Sequence, residues 1–308
     1  MLGVLTKTTC PIGIDLGYDS LKMVQLTTSG KEVTGVSCRG TSCMAYDPPN
    51  CPAWQRWAID AIYHVRADGQ FRGRDVVVAL PASDLFVDHL KCPQPSEGKP
   101  EDAAFSKIRH KLPPGWTRGN IVIKCIPMEQ DNALVIAAER AIVERHLAIY
   151  ERARLKVKSM AIWPVAMAAC YARFFARRGV DQYAVVMLLD IQSDCSNVVV
   201  CRSGNLLSAY SIPIGARRLR DTAEAERLAW ELTVRRKQLL SLYKDVGIER
   251  LILLSKPTVN PQVYQKIGAE LGVRVQLADC QAALEMETTS TDNEVPMNWT
   301  LALGLSLC

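Results

Sequence analysis

The chain has no apolar run long enough to cross a bilayer. Its most apolar stretches, such as 183–189, fall far short of the ~20 residues that a spanning helix needs. The opening MLGVLTKTTCPIG has no basic region followed by a long apolar one, so no signal peptide is expected either. A P-loop, a GxSxG elbow and an HExxH helix are all missing, and with them any sequence support for hydrolase or metalloprotease chemistry. Histidine is scarce. His64, His89, His110 and His146 lie far apart and form neither a triad nor a metal-ligand spacing. No strong excess of charge exists: Lys+Arg 37 against Asp+Glu 32 gives +5 over 308 residues, too little to call for a nucleic-acid partner.

What is present is the composition of a soluble globular protein, with 48% hydrophobic and 22% charged residues. The length suggests about two domains. Cysteine is plentiful, 11 residues with no CxxC pair. An odd, scattered set reads as reduced thiols in a reducing compartment, and Cys195 and Cys201 sit in strand-like segments as small hydrophobes. Cys38, Cys43 and Cys51 lie near Pro48, Pro49 and Pro52 in a loop-like stretch. A metal there would need a fourth ligand, and the nearest candidate, His64, falls in a predicted helix; no metal site is expected.

The pattern opens on a hairpin, strand 11–16, a turn at 17–20 and strand 21–27, followed by strand 32–38. A helix is predicted over 54–65, strands over 75–80 and 86–90, and a short helix over 101–112 stopped by Pro113-Pro114. Two strands (120–127, 133–138), a helix (141–154) and a strand (157–162) follow, and Pro164 begins another helix. After Gly179 the pattern restarts with strands 183–191, 197–202 and 206–212, echoing the first meander as a weak internal duplication. Asp221 with Glu224 reads as a capping box for a long helix ended by Gly247. Strand 250–255, helix 261–271, strand 274–278 and a terminal helix 299–307 complete an α/β alternation in two lobes.

Two turns carry chemical interest. In IGIDLGYDSLK a buried strand delivers Asp15 to a turn that is expected to need Gly17. Its backbone N–H groups, the Ser20 hydroxyl and the Lys22 ammonium suit a phosphate, and an aspartate at a strand end can hold Mg²⁺ through water. The same residues also read as an ordinary Asp-Gly turn. In LLDIQSDCSNVVV, Asp190 again ends an apolar strand and Ser193 and Asp194 follow in the turn.

The pair resembles the two facing phosphate hairpins of the actin-like ATPase superfamily. More specifically, IGIDLGYDSLKMVQL is similar to the opening of the PilM family of type IV pilus assembly proteins. VVVALP (76–81), the strand from Leu134 with its helix, IWPVAMAA (162–169), IPIGARRL and the closing LALGL resemble later parts of that family in the same order. The cytoplasmic domain of the type II secretion protein GspL is similar in outline. The resemblance implies a two-lobed actin-like (ribonuclease H-like) α/β fold. The first lobe would be 1–178 with an inserted subdomain at about 75–154. The second, reduced lobe would be 179–308, with a shortened helical insertion at about 216–250.

Departures from the family bear on activity. Gln192 stands where nucleotide-binding members usually carry glycine after the second Asp. The stretch Lys256–Asn260 replaces a glycine-rich adenosine loop with proline and branched residues, and Tyr18 replaces a small residue. The resemblance therefore implies a cytoplasmic scaffold at the inner-membrane face rather than an enzyme, a pseudo-ATPase with no cofactor. It would bind the cytoplasmic tail of a PilN-like inner-membrane protein together with other pilus or secretion components. The alternative is an active ATPase or kinase that binds ATP and Mg²⁺ through Asp15, Gly17, Ser20, Lys22, Asp190 and Ser193. Arg217, Arg218, Arg220, Arg235, Arg236 and Lys237 read either as a solvated face interleaved with glutamates or as a docking surface for an acidic partner or headgroups.

Overall fold

A computed structural model describes residues 7–43, 51–91, 99–176, 183–243, 246–254, 261–284 and 297–308. In chain order its elements are β1 (Lys7–Leu16), β2 (Ser20–Ser29), β3 (Glu32–Ser42), α1 (Pro52–Asp68), β4 (Asp75–Ala79), β5 (Phe86–Lys91), α2 (Pro100–Ile108), β6 (Ile121–Pro127), β7 (Asn132–Glu139), α3 (Arg140–Arg152), β8 (Lys156–Ala161) and α4 (Trp163–Phe174). They continue with β9 (Val185–Ile191), β10 (Ser196–Arg202), β11 (Asn205–Ile212), α5 (Thr222–Leu242), β12 (Arg250–Leu253), α6 (Pro261–Leu271), β13 (Arg274–Leu277), α7 (Cys280–Ala283) and α8 (Thr300–Leu307). Two compact units divide the chain. One gathers Met1–Pro81, Arg145–Phe175 and Ala278–Cys308; the other gathers Ala82–Glu144 and Ala176–Leu277.

The first unit is built on a five-stranded sheet of order β3-β2-β1-β4-β8. β1, β2 and β3 form an antiparallel meander, while β4 and β8 run parallel beside β1. Alternation sends Ile12, Ile14 and Leu16 to one face, where they pack with Trp54, Ala58 and Ile62 of α1 and with Ile149 and Tyr150 of α3. The other face, through Val24 and Leu26, meets Cys170 and Phe174 of α4 and Ala302 and Leu303 of α8. Cys51 caps α1, its sulfur accepting the Trp54 N–H at 3.3 Å.

Pro11 lies inside β1 and has no N–H to give the ladder, and the β1–β2 register shifts between Thr9 and Ile12. Side chains take up the backbone groups this releases. Ser306 of α8 accepts the Leu26 N–H at 3.2 Å and donates to the Pro11 carbonyl at 2.9 Å. Gln25 donates to the carbonyls of Cys10 and Arg72 and accepts the Arg72 N–H. α8 also approaches with almost no clearance. A Cβ on Gly13 would stand 2.0 Å from the Ala302 carbonyl oxygen, and one on Gly304 would stand 2.0 Å from that of Ala166 in α4.

The second unit repeats the plan. Its five-stranded sheet has the order β11-β10-β9-β12-β13, again an antiparallel meander with two parallel strands beside its first member. The internal duplication read from the sequence is thus a duplicated sheet. α5 and α6 cover one face through Leu228, Leu232, Leu239, Ile267 and Leu271. Asp221 is the N-cap of α5 and accepts from the Ala223 N–H at 2.9 Å. The reciprocal half of the expected capping box is not made, because the Glu224 carboxylate turns to Arg218 at 2.6 Å. The helix ends at Leu242, ahead of Gly247.

The lobe boundaries differ from those expected. β4, predicted to open the inserted piece, is an inner strand of the first sheet, with Ile12 opposite Val76 and Ile14 opposite Val78. From Arg145 onward α3 belongs to the first unit, so the piece outside the first unit is Ala82–Glu144 rather than 75–154. The terminal helix, expected in the second lobe, lies on β1 and α4.

Within Ala82–Glu144 a three-stranded sheet of order β5-β7-β6 packs on α2 through Ala104, Ile108, Ile121 and Val135. It meets the edge strand β11 through His89, whose Nε2 accepts the Ala209 N–H at 3.2 Å and whose ring lies 4.7 Å from that of Tyr210. Arg235 lies over the far side of this cluster, 4.8 Å from the Tyr210 ring centre. Accepting that bond requires neutral imidazole. Burial holds the His89 pKa down to about 4, helped by the Arg235 and Lys111 charges and opposed by Asp88. Because the folded value lies below the ordinary 6.5, the unfolded chain binds more protons between the two. The contribution is complete above pH 6.5 and is lost as pH falls towards 4, and the loss amounts to about 3 kcal/mol at the acid end. Urea midpoints of the wild type should fall through this window, whereas His89→Gln, which keeps an acceptor but cannot titrate, should lack that part of the slope. Identical slopes in the two proteins would refute the assignment.

Candidate functional site

The residues expected to carry chemistry sit on one hairpin turn in each unit. In the first, Asp15 occupies the C-terminal end of β1 and faces Lys22 across the β1–β2 register. Lys22 Nζ donates to Asp15 Oδ2 at 2.8 Å, with the two side chains only 12% and 10% exposed. The Gly17 N–H is already given to the Ser20 carbonyl at 2.8 Å, and the Ser20 hydroxyl to Asp19 Oδ1 at 3.2 Å. The rest of the turn is fixed from outside. Trp54 Nε1 donates to the Tyr18 carbonyl at 3.2 Å, and the Tyr18 ring stands edge-on to Trp54 at 5.6 Å. The Cys43 N–H donates to the Asp19 carbonyl at 2.7 Å. Beneath it the Tyr150 hydroxyl is fully buried without a hydrogen-bond partner. Burial, and then the Asp15 carboxylate, push its pKa well up.

Gly17 does not have the role expected of it. Its φ is not positive, and a Cβ there would find its nearest neighbour, the Ser20 carbonyl oxygen, at 3.5 Å, an ordinary contact. The turn tolerates a side chain at this position.

In the second hairpin Asp190 is the penultimate residue of β9, is 2% exposed, and faces Asn197 across the β9–β10 register. Gln192 Nε2 donates to Asp190 Oδ2 at 3.0 Å. The side chain that stands in place of the family's glycine is therefore folded back onto the aspartate. The turn is also covered by the segment after β11. The Ala216 and Arg217 N–H groups donate to the Gln192 and Ser193 carbonyls at 2.8 and 3.1 Å. Ser196 Oγ donates to the Ile214 carbonyl at 2.6 Å. Arg217 grips both Asp194 oxygens at 2.9 and 3.1 Å. This closeness depends on Gly215, where a Cβ would fall 2.4 Å from the Ser193 carbonyl oxygen. The motif IPIGARRL identified that stretch, but its function as a clamp on the turn involves backbone 22 residues upstream and has no local signature.

The residues present do not fit an exposed phosphate cradle. Cradling needs free N–H groups and cations aimed outward. Here Lys22 is spent on Asp15, the Gly17 N–H on its own turn, and Gln192 on Asp190. The substituted adenosine loop, Lys256–Asn260, lies outside the described residues. One helix, α5, fills the described part of the stretch between β11 and β12. Within the basic cluster, Arg218 pairs with Glu224, Arg235 with Glu231, and Arg236 donates to the Leu271 carbonyl.

No protein-family model matches the chain, and no curated protein shows significant sequence similarity to it. Solved structures do match. A chain of the PilM–PilN type IV pilus biogenesis complex superposes with a TM-score of 0.74 at 18% identity, over 96% of this chain and 97% of that one. The cytoplasmic domain of EpsL, an inner-membrane component of the type II secretion system of Vibrio cholerae, gives 0.52 at 12% identity over 98% and 95%. A Bacteroides thetaiotaomicron protein of unknown function with an actin-like ATPase fold gives 0.52 at 12% over 90% and 96%. Among the described residues no helix is long and apolar enough to cross a membrane. With its duplicated sheets and matching chain coverage, the protein has a PilM-like actin fold.

Proposed function

We propose that this protein is an actin-like scaffold of a type IV pilus or related secretion machine. It works in the cytoplasm at the inner-membrane face, holds the cytoplasmic tail of a PilN-like membrane protein and contacts further components of the machine. The observation that carries this reading is the near end-to-end likeness to a chain of the PilM–PilN complex, with no large part of either chain left over. The state of the two hairpins supports a pseudo-ATPase. Asp15 and Asp190 close their own turns through Lys22 and Gln192, Gly17 and Ser20 are engaged within the first turn, and the Ser193 carbonyl is held by the Arg217 N–H.

Two titrations test the proposal. The full chain should bind a synthetic peptide of the N-terminal tail of the membrane protein encoded beside it, and should give no heat with ATP and Mg²⁺. Asp190→Asn keeps an acceptor for Gln192, so peptide binding should be unchanged and Tm should move by less than about 3 °C. Failure to bind the tail overturns the scaffold reading. Micromolar ATP binding that disappears in Asp15→Ala overturns the pseudo-ATPase reading and favours the active enzyme.

A further inference from the structure

Helix α5 buries Ala225, Leu228, Ala229, Leu232 and Leu239 and turns its other side to solvent. On that outer side stands Trp230, 61% exposed. Tryptophan buries a large area when covered and is enriched at interfaces, where its ring can be packed while its N–H finds a partner. Its neighbours at helical spacing are Arg227, Val234 and Lys237 at i−3, i+4 and i+7, so the four form one stripe about 15 Å long.

The charge along this stripe is of one sign. Glu226, the carboxylate nearest to Trp230 on the same face, is neutralised by Lys266 of α6 at 2.6 Å. Glu231 turns to Arg235, and Glu224 is held by Arg218 at 2.6 Å, leaving Arg227 3.9 Å from it as a weaker second partner. The result is an aromatic anchor between two cations. Trp and Arg are the residue types that dominate binding energy at protein interfaces.

We infer that the outer face of α5 docks an acidic helical segment of a partner protein, with a large apolar residue against Trp230 and carboxylates meeting Arg227 and Lys237. Charge complementarity selects this occupant. A bilayer would be met by two exposed large apolar side chains, Trp230 and Leu240, and by few cations, short of the broad apolar face and many basic residues that interfacial helices use. The inference concerns residues of α5 that take no part in either hairpin turn, and it does not depend on the pilus reading.

The test uses the full chain and a labelled helical peptide of about 15 residues carrying leucine flanked by glutamates, with a second peptide in which lysine replaces every glutamate. Fluorescence anisotropy should show saturable, salt-sensitive binding of the acidic peptide alone. Trp230→Ala, and separately Arg227→Glu with Lys237→Glu, should each weaken it about tenfold or more. Melting temperature should be unchanged, because these side chains face solvent. The inference is overturned by no saturable binding, by equal binding of the lysine peptide, or by binding that Trp230→Ala leaves intact. It is equally overturned if Trp230→Ala instead abolishes adsorption to phosphatidylglycerol vesicles, or a concentration-dependent dimer seen by sedimentation.

Discussion

Alanine at position 304 is expected to destabilise the first unit by about 3 kcal/mol or more. The added methyl would lie 2.0 Å from the Ala166 carbonyl oxygen and 2.5 Å from its carbon, and both are backbone atoms inside α4 that cannot swing aside. Relief would require α8 to lift from α4. That would also pull Ser306 off the Leu26 N–H and the Pro11 carbonyl, exposing groups that the β1 irregularity leaves without ladder partners. Gly13→Ala should behave alike, since its methyl meets the Ala302 carbonyl at the same distance. Gly17→Ala is the control and should stay within about 1 kcal/mol of wild type. Urea unfolding of the three variants checks the ranking. A Gly304→Ala protein as stable as Gly17→Ala would show that α8 is not packed as described.

Lys22→Met should cost about 3–5 kcal/mol, the penalty for leaving one member of a buried ion pair behind. Asp15 is 7% exposed, and its carboxylate would lose the ammonium 2.8 Å away. The double variant Asp15→Asn with Lys22→Met should recover most of the loss, because the uncompensated charge is then gone. A deficit in the double variant as large as in the single one would mean that Lys22 stabilises through its stem rather than its charge. The same pair bears on function: a lysine whose removal is rescued by neutralising its aspartate serves the hairpin itself.

The parts of this fold that were legible in the sequence are those with short-range causes. Ile12, Ile14 and Leu16 alternate and form a strand; Asp221 precedes a helical pattern and caps it; two Asp-ended strands restart the same arrangement. Other features were not legible, either because backbone conformation decides them or because the cause lies far along the chain. Gly17 looked obligatory because glycine is common in turns, yet its backbone is ordinary. Gly304 looked like one residue of a helix, although the atom that excludes a side chain there belongs to Ala166. His89 was one of four scattered histidines with no shared spacing, and its hydrogen-bond donor is 120 residues away. At the candidate site, residue types were readable but their partners were not. Gln192 was legible as a side chain standing where the family carries glycine, but not its bond to Asp190.

The position of α8 also has a consequence for biosynthesis. The first unit is assembled from three separate stretches, the last of them Ala278–Cys308, and the Leu26–Ser306 bond joins residues 280 apart. While the ribosome is still translating that last stretch, Gly13 and Val24 face a missing neighbour, and the first meander cannot complete its outer layer. The second unit, continuous from Ala176 to Leu277 once Ala82–Glu144 is available, has all its strands earlier. Maturation therefore runs against the direction of synthesis, with the N-terminal sheet the last to become protected. Until α8 is in place that sheet keeps an open apolar face, so a lesion in α8 would be felt first at the N-terminal strands.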